Sequence, residues 1–403
     1  MKKPALNVFA DQVGVGALTR SDVLEDTILF DYREGTAPEH AVSLTMPIRT
    51  DQYDSMAGLL PIFEMNLPEG ALKERLTLQF AKTIPDFDDL DLLGIVGTSQ
   101  IGRLRYSQQR ELKETMPTQD LAEILTYQGS ADLLAHLLDR FATFSGVSGM
   151  QPKVLIREAQ APDRITHRGA THIVKSFDAA EFPELAANEF ICTMGAAAAG
   201  ITTAQVRLSD NRNFLIVDRF DLAPDGRYLG VEDFCVLDGR RAHGRYDGSY
   251  EGIARRMRSF VSPAALAEAQ EQYALQVVYA CTIGNGDAHL KNFSVRYPHA
   301  EDRVELAPAY DIVSTVPYIP RDSLALTLGE SKEFPDRARL IRFVRQVTGK
   351  TLPLARALLE QVAEGVESAL RHTADYRRRH PEASHFTERL SGVMHEGLQR
   401  LKG

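Results

Sequence analysis

Apolar residues along this chain change their spacing twice, and the changes divide it into three stretches. Over the first hundred or so residues they come in short runs, Leu6–Ala10 and Ile28–Tyr32, set off by glycines and polar turns. Runs of that kind predict strands. Residues 43–48 alternate apolar and polar in the same way and are expected to form another. The segment Phe63-Glu64-Met65-Asn66-Leu67-Pro68-Glu69-Gly70 then leads into a helix predicted over 71–82. Residues 118–141 carry Leu121, Ile124, Leu125, Leu133 and Leu134 at helical spacing and read as one helix.

A loop of small residues follows, Ser145-Gly146-Val147-Ser148-Gly149-Met150-Gln151-Pro152-Lys153, and then a strand at 154–156. A second strand is expected at 172–177, a helix at 184–199 that stops at Gly200, and a buried strand at 214–221 that runs into a turn. From about Leu237 the pattern is helical. The segment 263–282 is long and apolar on one face, and it stops at Gly284-Asn285-Gly286-Asp287. Short strands at 293–295 and 304–306 lead to Pro308-Ala309-Tyr310-Asp311, and the C-terminal stretch is helical again. No internal repeat or low-complexity linker interrupts this order. It predicts an α+β protein with a β-rich part over 1–107, a strand–helix–strand lobe over 108–236 and a helical lobe over 237–403.

Composition narrows the chemistry. The 403 residues are 44% hydrophobic and 25% charged, so a sizeable core is expected and disorder is not. A net charge of -9 does not suit a chain that coats nucleic acid. The basic run Arg377–Arg379 with His380 reads as a solvated helix end. Cys192, Cys235 and Cys281 are far apart and odd in number, which points to buried thiols in a reducing compartment and to no zinc site. No apolar h-region opens the chain and no run of 18 apolar residues occurs, so a cytoplasmic protein that does not touch the membrane is expected.

Four segments carry candidate chemistry. Asp287-Ala288-His289-Leu290-Lys291-Asn292 has an Asp five positions before an Asn. Protein kinases use that spacing to hold a proton acceptor and a magnesium ligand in one fixed relation. An aspartate there can also simply close a helix–strand turn. Asp311 comes nineteen positions after Asn292, where a kinase needs a second carboxylate for the metal. It can equally be a turn aspartate after Pro308. Lys175 lies inside an apolar strand, which is costly without an anionic partner such as ATP phosphates. The loop 146–153 offers glycines whose backbone can approach phosphate, although it is neither a Walker A loop nor Gly-x-Gly-x-x-Gly. Each match alone is weak. Their joint order, glycine loop, strand lysine, Asp-x4-Asn and metal Asp, predicts ATP-dependent phosphoryl transfer.

On these segments the chain resembles the HipA-type serine/threonine kinases, the toxin halves of bacterial toxin–antitoxin pairs. Ser148-Gly149-Met150-Gln151-Pro152-Lys153 resembles the family's phosphate loop, and His172-Ile173-Val174-Lys175 its ATP-lysine strand. Asn188-Glu189-Phe190 is similar to a helix motif of the first lobe, and Val217-Asp218-Arg219-Phe220-Asp221 to the hinge. The segments 284–294 and 306–314 are similar to the catalytic loop and the metal-binding segment. The β-rich part through Leu67-Pro68-Glu69-Gly70 is similar to an extra N-terminal subdomain.

The resemblance implies a two-lobed protein-kinase-like fold with that subdomain added and a helical C-terminal lobe. It implies ATP and Mg2+ as cofactors, Asp287 as catalytic base, and Asn292 and Asp311 as metal ligands. Nucleotide contacts would come from Ser148, Gly149, Met150, Gln151, Pro152, Lys153, Lys175, Asp218, Arg219, Phe220, His289, Lys291, Asn292, Tyr310 and Asp311. It also implies a protein substrate such as an aminoacyl-tRNA synthetase, autophosphorylation at Ser148 or Ser145, and a small DNA-binding antitoxin as the route to any operator. Two rivals remain open: a phosphotransferase for aminoglycoside-type small molecules, and an inactive kinase fold serving as corepressor.

Overall fold

The computed structural model describes residues 3–24, 26–56, 58–112, 116–129, 132–159, 169–177 and 180–403. It divides into two compact units. The first is Met1–Ser176, Ser209–Ala242 and Arg296–Val304; the second is Phe177–Leu208, His243–Val295 and Glu305–Gly403.

In the first unit, β1 (Leu6–Ala10), β2 (Val13–Arg20), β3 (Ile28–Tyr32), β4 (Tyr53–Ser55) and β5 (Leu104–Ser107) form an antiparallel sheet in the order β4-β3-β2-β1-β5. Period-two alternation sends Leu6, Val8 and Ala10 of β1 into a core shared with Leu18, Phe30 and Phe63. Helices α1 (Gly70–Phe80) and α2 (Asp89–Val96) add Leu72, Leu76, Leu92 and Leu93 to it. The start of α2 is set by a reciprocal cap. Asp91 N–H donates to Asp88 Oδ1 at 2.9 Å, and Asp88 N–H to Asp91 Oδ2 at 3.1 Å.

The strand expected at 43–48 is not there. The segment turns instead, with one isolated bridge between Ser43 and Met46. Its polar groups face a buried carboxylate: Ser43 Oγ and Leu44 N–H donate to Glu232 at 2.6 and 2.8 Å. Satisfying that buried acid outweighs local alternation.

A second sheet in this unit holds β6 (Thr118–Gln119), β7 (Lys153–Glu158), β8 (His172–Ser176) and β9 (Phe214–Asp218), in the order β6-β7-β8-β9. Strand β6 runs parallel to β7 and the other pairs are antiparallel. Val154, Ile156, Val174, Phe214 and Ile216 form its core. The single helix expected over 118–141 is broken into β6, a helix at Leu121–Leu125 and another at Asp132–Phe141. The Asp120 side chain caps the first of these, accepting from Ala122 N–H at 2.8 Å. Gln128-Gly129 then supplies the interruption that hydrophobic spacing hides.

The second unit is mostly helical. It packs α3 (Leu185–Ala198), α4 (Pro263–Thr282), α5 (Leu352–Arg379) and α6 (Ser384–Lys402). Gly195 on α3 and Gly365 on α5 let those two helices approach closely. A Cβ added at Gly195 would lie 2.7 Å from Ala369 Cβ and 3.0 Å from Gly365 O. Helix α4 ends where Gly284 takes φ +69° and Asn285 N–H returns to Ala280 O at 2.9 Å. The basic run Arg377–Arg379 is the exposed last turn of α5, where it complements the helix dipole. All three cysteines are buried free thiols. Among the described residues, no helix is long and apolar enough to cross a membrane.

The close helix pair yields a stability prediction. Gly195→Val overpacks the α3–α5 contact and lowers unfolding free energy by about 1–3 kcal/mol. A urea midpoint that falls without a change in slope checks this.

Candidate functional site

In the second unit the turn at Gly284 launches the loop that carries Asp287. Asn285 Oδ1 accepts Asp287 N–H at 2.9 Å, a side-chain turn that fixes the loop's first bend. Asp287 Oδ1 accepts from Tyr246 Oη at 2.9 Å. Two residues on, His289 N–H donates to Asn292 Oδ1 at 2.9 Å, so the amide that closes the loop is already oriented. Tyr310 Oη donates to the Lys291 carbonyl at 2.7 Å and meets Ser294 Oγ at 2.5 Å. Asn292, Tyr310 and Asp311 line one small cavity of about 30 Å³ together with Gln276 and Asn285. Asp311 sits at φ +54°, a left-handed conformation that aspartate tolerates better than most residues. Thus Asp287, His289, Lys291, Asn292, Tyr310 and Asp311, scattered over 25 positions, belong to one local structure.

The electrostatics follow from crowding. Asp287 is exposed, yet the atoms around it exclude enough water to push its carboxyl above the usual range. The negative charges of Asp311 and Asp322 push the same way, against the Tyr246 hydrogen bond and the Arg245 charge. Burial drives His289 down to about 4, helped by Arg245 and Lys291 and opposed by Asp311. The imidazole is therefore neutral at pH 7.

The backbone just after Asp311 is held from α3. The Asn188 amide, fully buried, donates to Ser314 O at 2.8 Å and accepts Ser314 N–H at 3.1 Å. Ser314 Oγ donates to Ile283 O at 2.6 Å, and Thr315 N–H to Gly284 O at 3.0 Å. The end of α4 and the segment after Asp311 are thereby tied together. Glu184, just before α3, accepts from Tyr376 Oη of α5.

The remaining predicted residues lie in the first unit. Lys153 on β7 stands directly opposite Lys175 on β8, and both are buried. Directly opposed like charges are unfavourable unless anions lie near. Gly149, at φ +125°, passes so close to Lys153 Nζ that a Cβ there would collide with it. Ser148 Oγ donates to Glu69 Oε1 at 2.5 Å. A Cβ at Gly70, φ +52°, would likewise meet the Met150 carbonyl. Met150 is exposed, Gln151 is half-buried, and Pro152 O accepts Ser176 N–H at 2.9 Å.

Ser145 is fully buried, donating to Phe141 O at 2.7 Å and accepting Leu155 N–H at 2.9 Å. At the hinge-like segment, Asp218 is 3.5 Å from His172 Nε2 and Phe220 is half-buried. The Arg219 side chain is buried and paired within the protein. Its guanidinium binds Asp221 and the Gln100 carbonyl at 2.8 Å, and its N–H donates to Thr171 O at 3.1 Å.

Sequence reasoning missed three supports: Asn285, Tyr246 and the clamp made by Asn188. Asn285, two positions before Asp287, is readable as a turn-former. Tyr246 and the Asn188–Ser314 pairing span 41 and 126 positions and leave no local signal.

Known proteins match this chain in two regions and in fold. Residues 6–107 match the HipA N-terminal domain, and residues 145–370 match the HipA-like C-terminal domain. "Putative kinase Y4mE" of Sinorhizobium fredii is 27% identical over 96% of this chain and 97% of its own. A "Putative kinase" of Haemophilus influenzae is 30% identical over 43% of this chain and 53% of its own. Among solved structures, the Shewanella oneidensis MR-1 toxin–antitoxin complex of HipA, HipB and operator DNA contains a chain with the same fold. It superposes with a TM-score of 0.68 at 18% identity, over 98% of both chains. With the loop at 284–294, the segment 306–314 and the β-rich N-terminal part all inside the matched regions, this chain belongs to the HipA-like family.

Proposed function

We propose that this protein is an ATP- and magnesium-dependent kinase that phosphorylates a serine of another protein. The observation that carries the reading is the meeting of Asn292 and Asp311 at one cavity, with Asp287 within electrostatic reach of Asp311. The donor set fits magnesium. One amide oxygen and one carboxylate are hard ligands, and they leave most of an octahedral shell to water and phosphate oxygens. Asn292 Oδ1 uses one lone pair on His289 N–H and keeps the other. When bound, the ion neutralises charge on the transferring phosphoryl group.

Asp287 accepts the proton of the attacking serine hydroxyl. The serine oxygen forms its bond to the γ-phosphorus while the bond from that phosphorus to the ADP oxygen breaks. Asn285 and Tyr246 aim the Asp287 carboxylate. Neutral His289 packs edge-on against Tyr246, with ring centroids 5.1 Å apart. Tyr310 steadies Lys291 by bonding its carbonyl. The resemblance to the family implies that Lys153, Lys175 and the backbone of Ser148 to Pro152 would meet the phosphates, and that the backbone over 218–220 would hold adenine.

The kinase names of the relatives and the HipA–HipB–DNA assembly of the Shewanella protein support a toxin that works with a small DNA-binding antitoxin. The net charge of -9 supports operator contact through that partner. An aminoacyl-tRNA synthetase is the family's expected target. Between the two candidate autophosphorylation sites, the locked hydroxyl of Ser145 directs the proposal to Ser148. A phosphate on Ser148 adds about -1.5 to -2 charges beside Glu69 and drives the loop from that contact. Phosphopeptide mass spectrometry after incubation with ATP tests this, and an active enzyme with an unmodified loop overturns it.

Radiolabelled ATP with magnesium should label a protein band. Label passing instead to an aminoglycoside refutes the protein-kinase reading. Asp287→Ala keeps ATP binding and loses about 10²–10⁴-fold in transfer rate. Asp311→Ala loses the magnesium-dependent rise in melting temperature with ATP. Equal nucleotide shifts in wild type and Asp311→Ala would remove the metal assignment.

The pH profile is a separate check. The base works deprotonated and its carboxyl lies above the usual range, so kcat/KM falls as pH drops through that raised value. Tyr246→Phe removes a hydrogen bond that favours the carboxylate and moves this acid limb to higher pH. An unmoved limb would show that Asp287 is not the titrating base.

A further inference from the structure

A second cluster lies in the first unit, apart from every residue assigned above. Asp11 occupies the turn between β1 and β2, His40 ends the short turn Pro38–His40, and His299 lies in the segment Arg296–Val304. Asp11 Oδ2 is 3.6 Å from His40 Nδ1 and 3.3 Å from His299 Nδ1. Ligand-capable atoms of all three residues lie within 4.8 Å of one another. Both Nδ1 atoms are shielded from solvent and have no hydrogen-bond partner. A buried imidazole nitrogen without a partner is costly, and two facing one carboxylate oxygen form a ready ligand set.

We propose that Asp11, His40 and His299 form a binding site for one divalent transition metal of the zinc type. The spacing suits it. Zinc–nitrogen and zinc–oxygen bonds of about 2.0–2.2 Å in a tetrahedron place ligand atoms roughly 3.3–3.5 Å apart, which small side-chain shifts reach here. Imidazole nitrogen with carboxylate oxygen is a set that zinc, nickel and copper accept and that magnesium does not favour. The fourth position is left to water.

The surroundings hold the ligands in place. Arg103, whose side chain is almost wholly buried, donates from Nη1 to Asp11 Oδ2 at 2.6 Å and to Glu39 O at 3.3 Å. Ala300 N–H donates to Glu39 O at 3.2 Å, which pins the His299 segment against the His40 turn. Outer hydrogen bonds of this kind orient metal ligands. The Arg103 charge opposes a cation, so the site binds more weakly than the same three ligands without it. The expectation of no zinc site rested on cysteine spacing. Ligands at 11, 40 and 299 are too far apart in sequence to form a motif. The site would clasp the β1–β2 turn to a segment 288 positions later, a stapling role separate from phosphoryl transfer.

The test uses the full chain without a histidine tag, stripped with EDTA. Zinc titration by calorimetry should give one ion per chain, and cobalt should give the visible bands of a four-coordinate site. His40→Ala and His299→Ala should each weaken zinc binding by at least about tenfold, and the double variant should abolish it together with the zinc-induced rise in melting temperature. In the wild type, zinc should protect His40 and His299 from diethylpyrocarbonate, read by peptide mass spectrometry; this arm needs no variant to fold. No stoichiometric zinc in the wild type, unchanged binding in the double variant, or no protection of the two histidines overturns the proposal.

Discussion

The Asn188 side chain bonds both backbone groups of Ser314 from inside the helical unit, and the placement of the reactive loop depends on that clamp. Neither amide end can turn to water, because Asn188 is fully buried. Removing it would leave a buried N–H and C=O unsatisfied, each at a cost of about 1–3 kcal/mol. Ser314 in turn holds the Ile283 carbonyl, and Thr315 holds Gly284 and Gly286. The loop carrying Asp287 and the segment after Asp311 are therefore registered against a helix rather than against each other alone. Catalytic geometry is sensitive to displacements of an ångström, and packed helices supply that precision better than loops do.

Much of this was legible in the chain. Strands β1 and β3 fall where apolar runs end in glycine and polar turns, and α4 fills its predicted span, from Pro263 at its first turn to Thr282. The α+β class, with strands early and helices late, followed from that spacing. Misreadings arose where a distant partner overrode a local pattern. Residues 43–48 alternate like a strand, but buried Glu232, about 190 positions away, claims their polar groups. Residues 118–141 keep helical spacing across a break that only Gly129 and the Asp120 cap announce.

The site shows the same division. Asp287, Asn292 and Asp311, singled out by type and interval, fall in one local structure, because short loops make sequence distance a fair proxy for distance in space. Arg219 illustrates the converse. It stands in a segment read as hinge backbone, and its guanidinium is paired with Asp221, whose carboxyl it holds below the usual range against the opposing effect of burial. Asp221 also accepts Gly102 N–H at 2.6 Å, so this buried ion pair stitches the two sheets of the first unit together. Nothing in the local sequence separates a charged residue that meets a ligand from one that meets its neighbour two positions on.

The left-handed backbone at Asp311 has an evolutionary consequence. Glycine and asparagine are the residues most at ease in that conformation, and neither carries a charge. Glutamate keeps the charge but strains the chain. Under the proposed metal role of Asp311, drift at this codon slides most readily toward well-folded, inert descendants, and pseudoenzymes with intact architecture follow easily from such a chain.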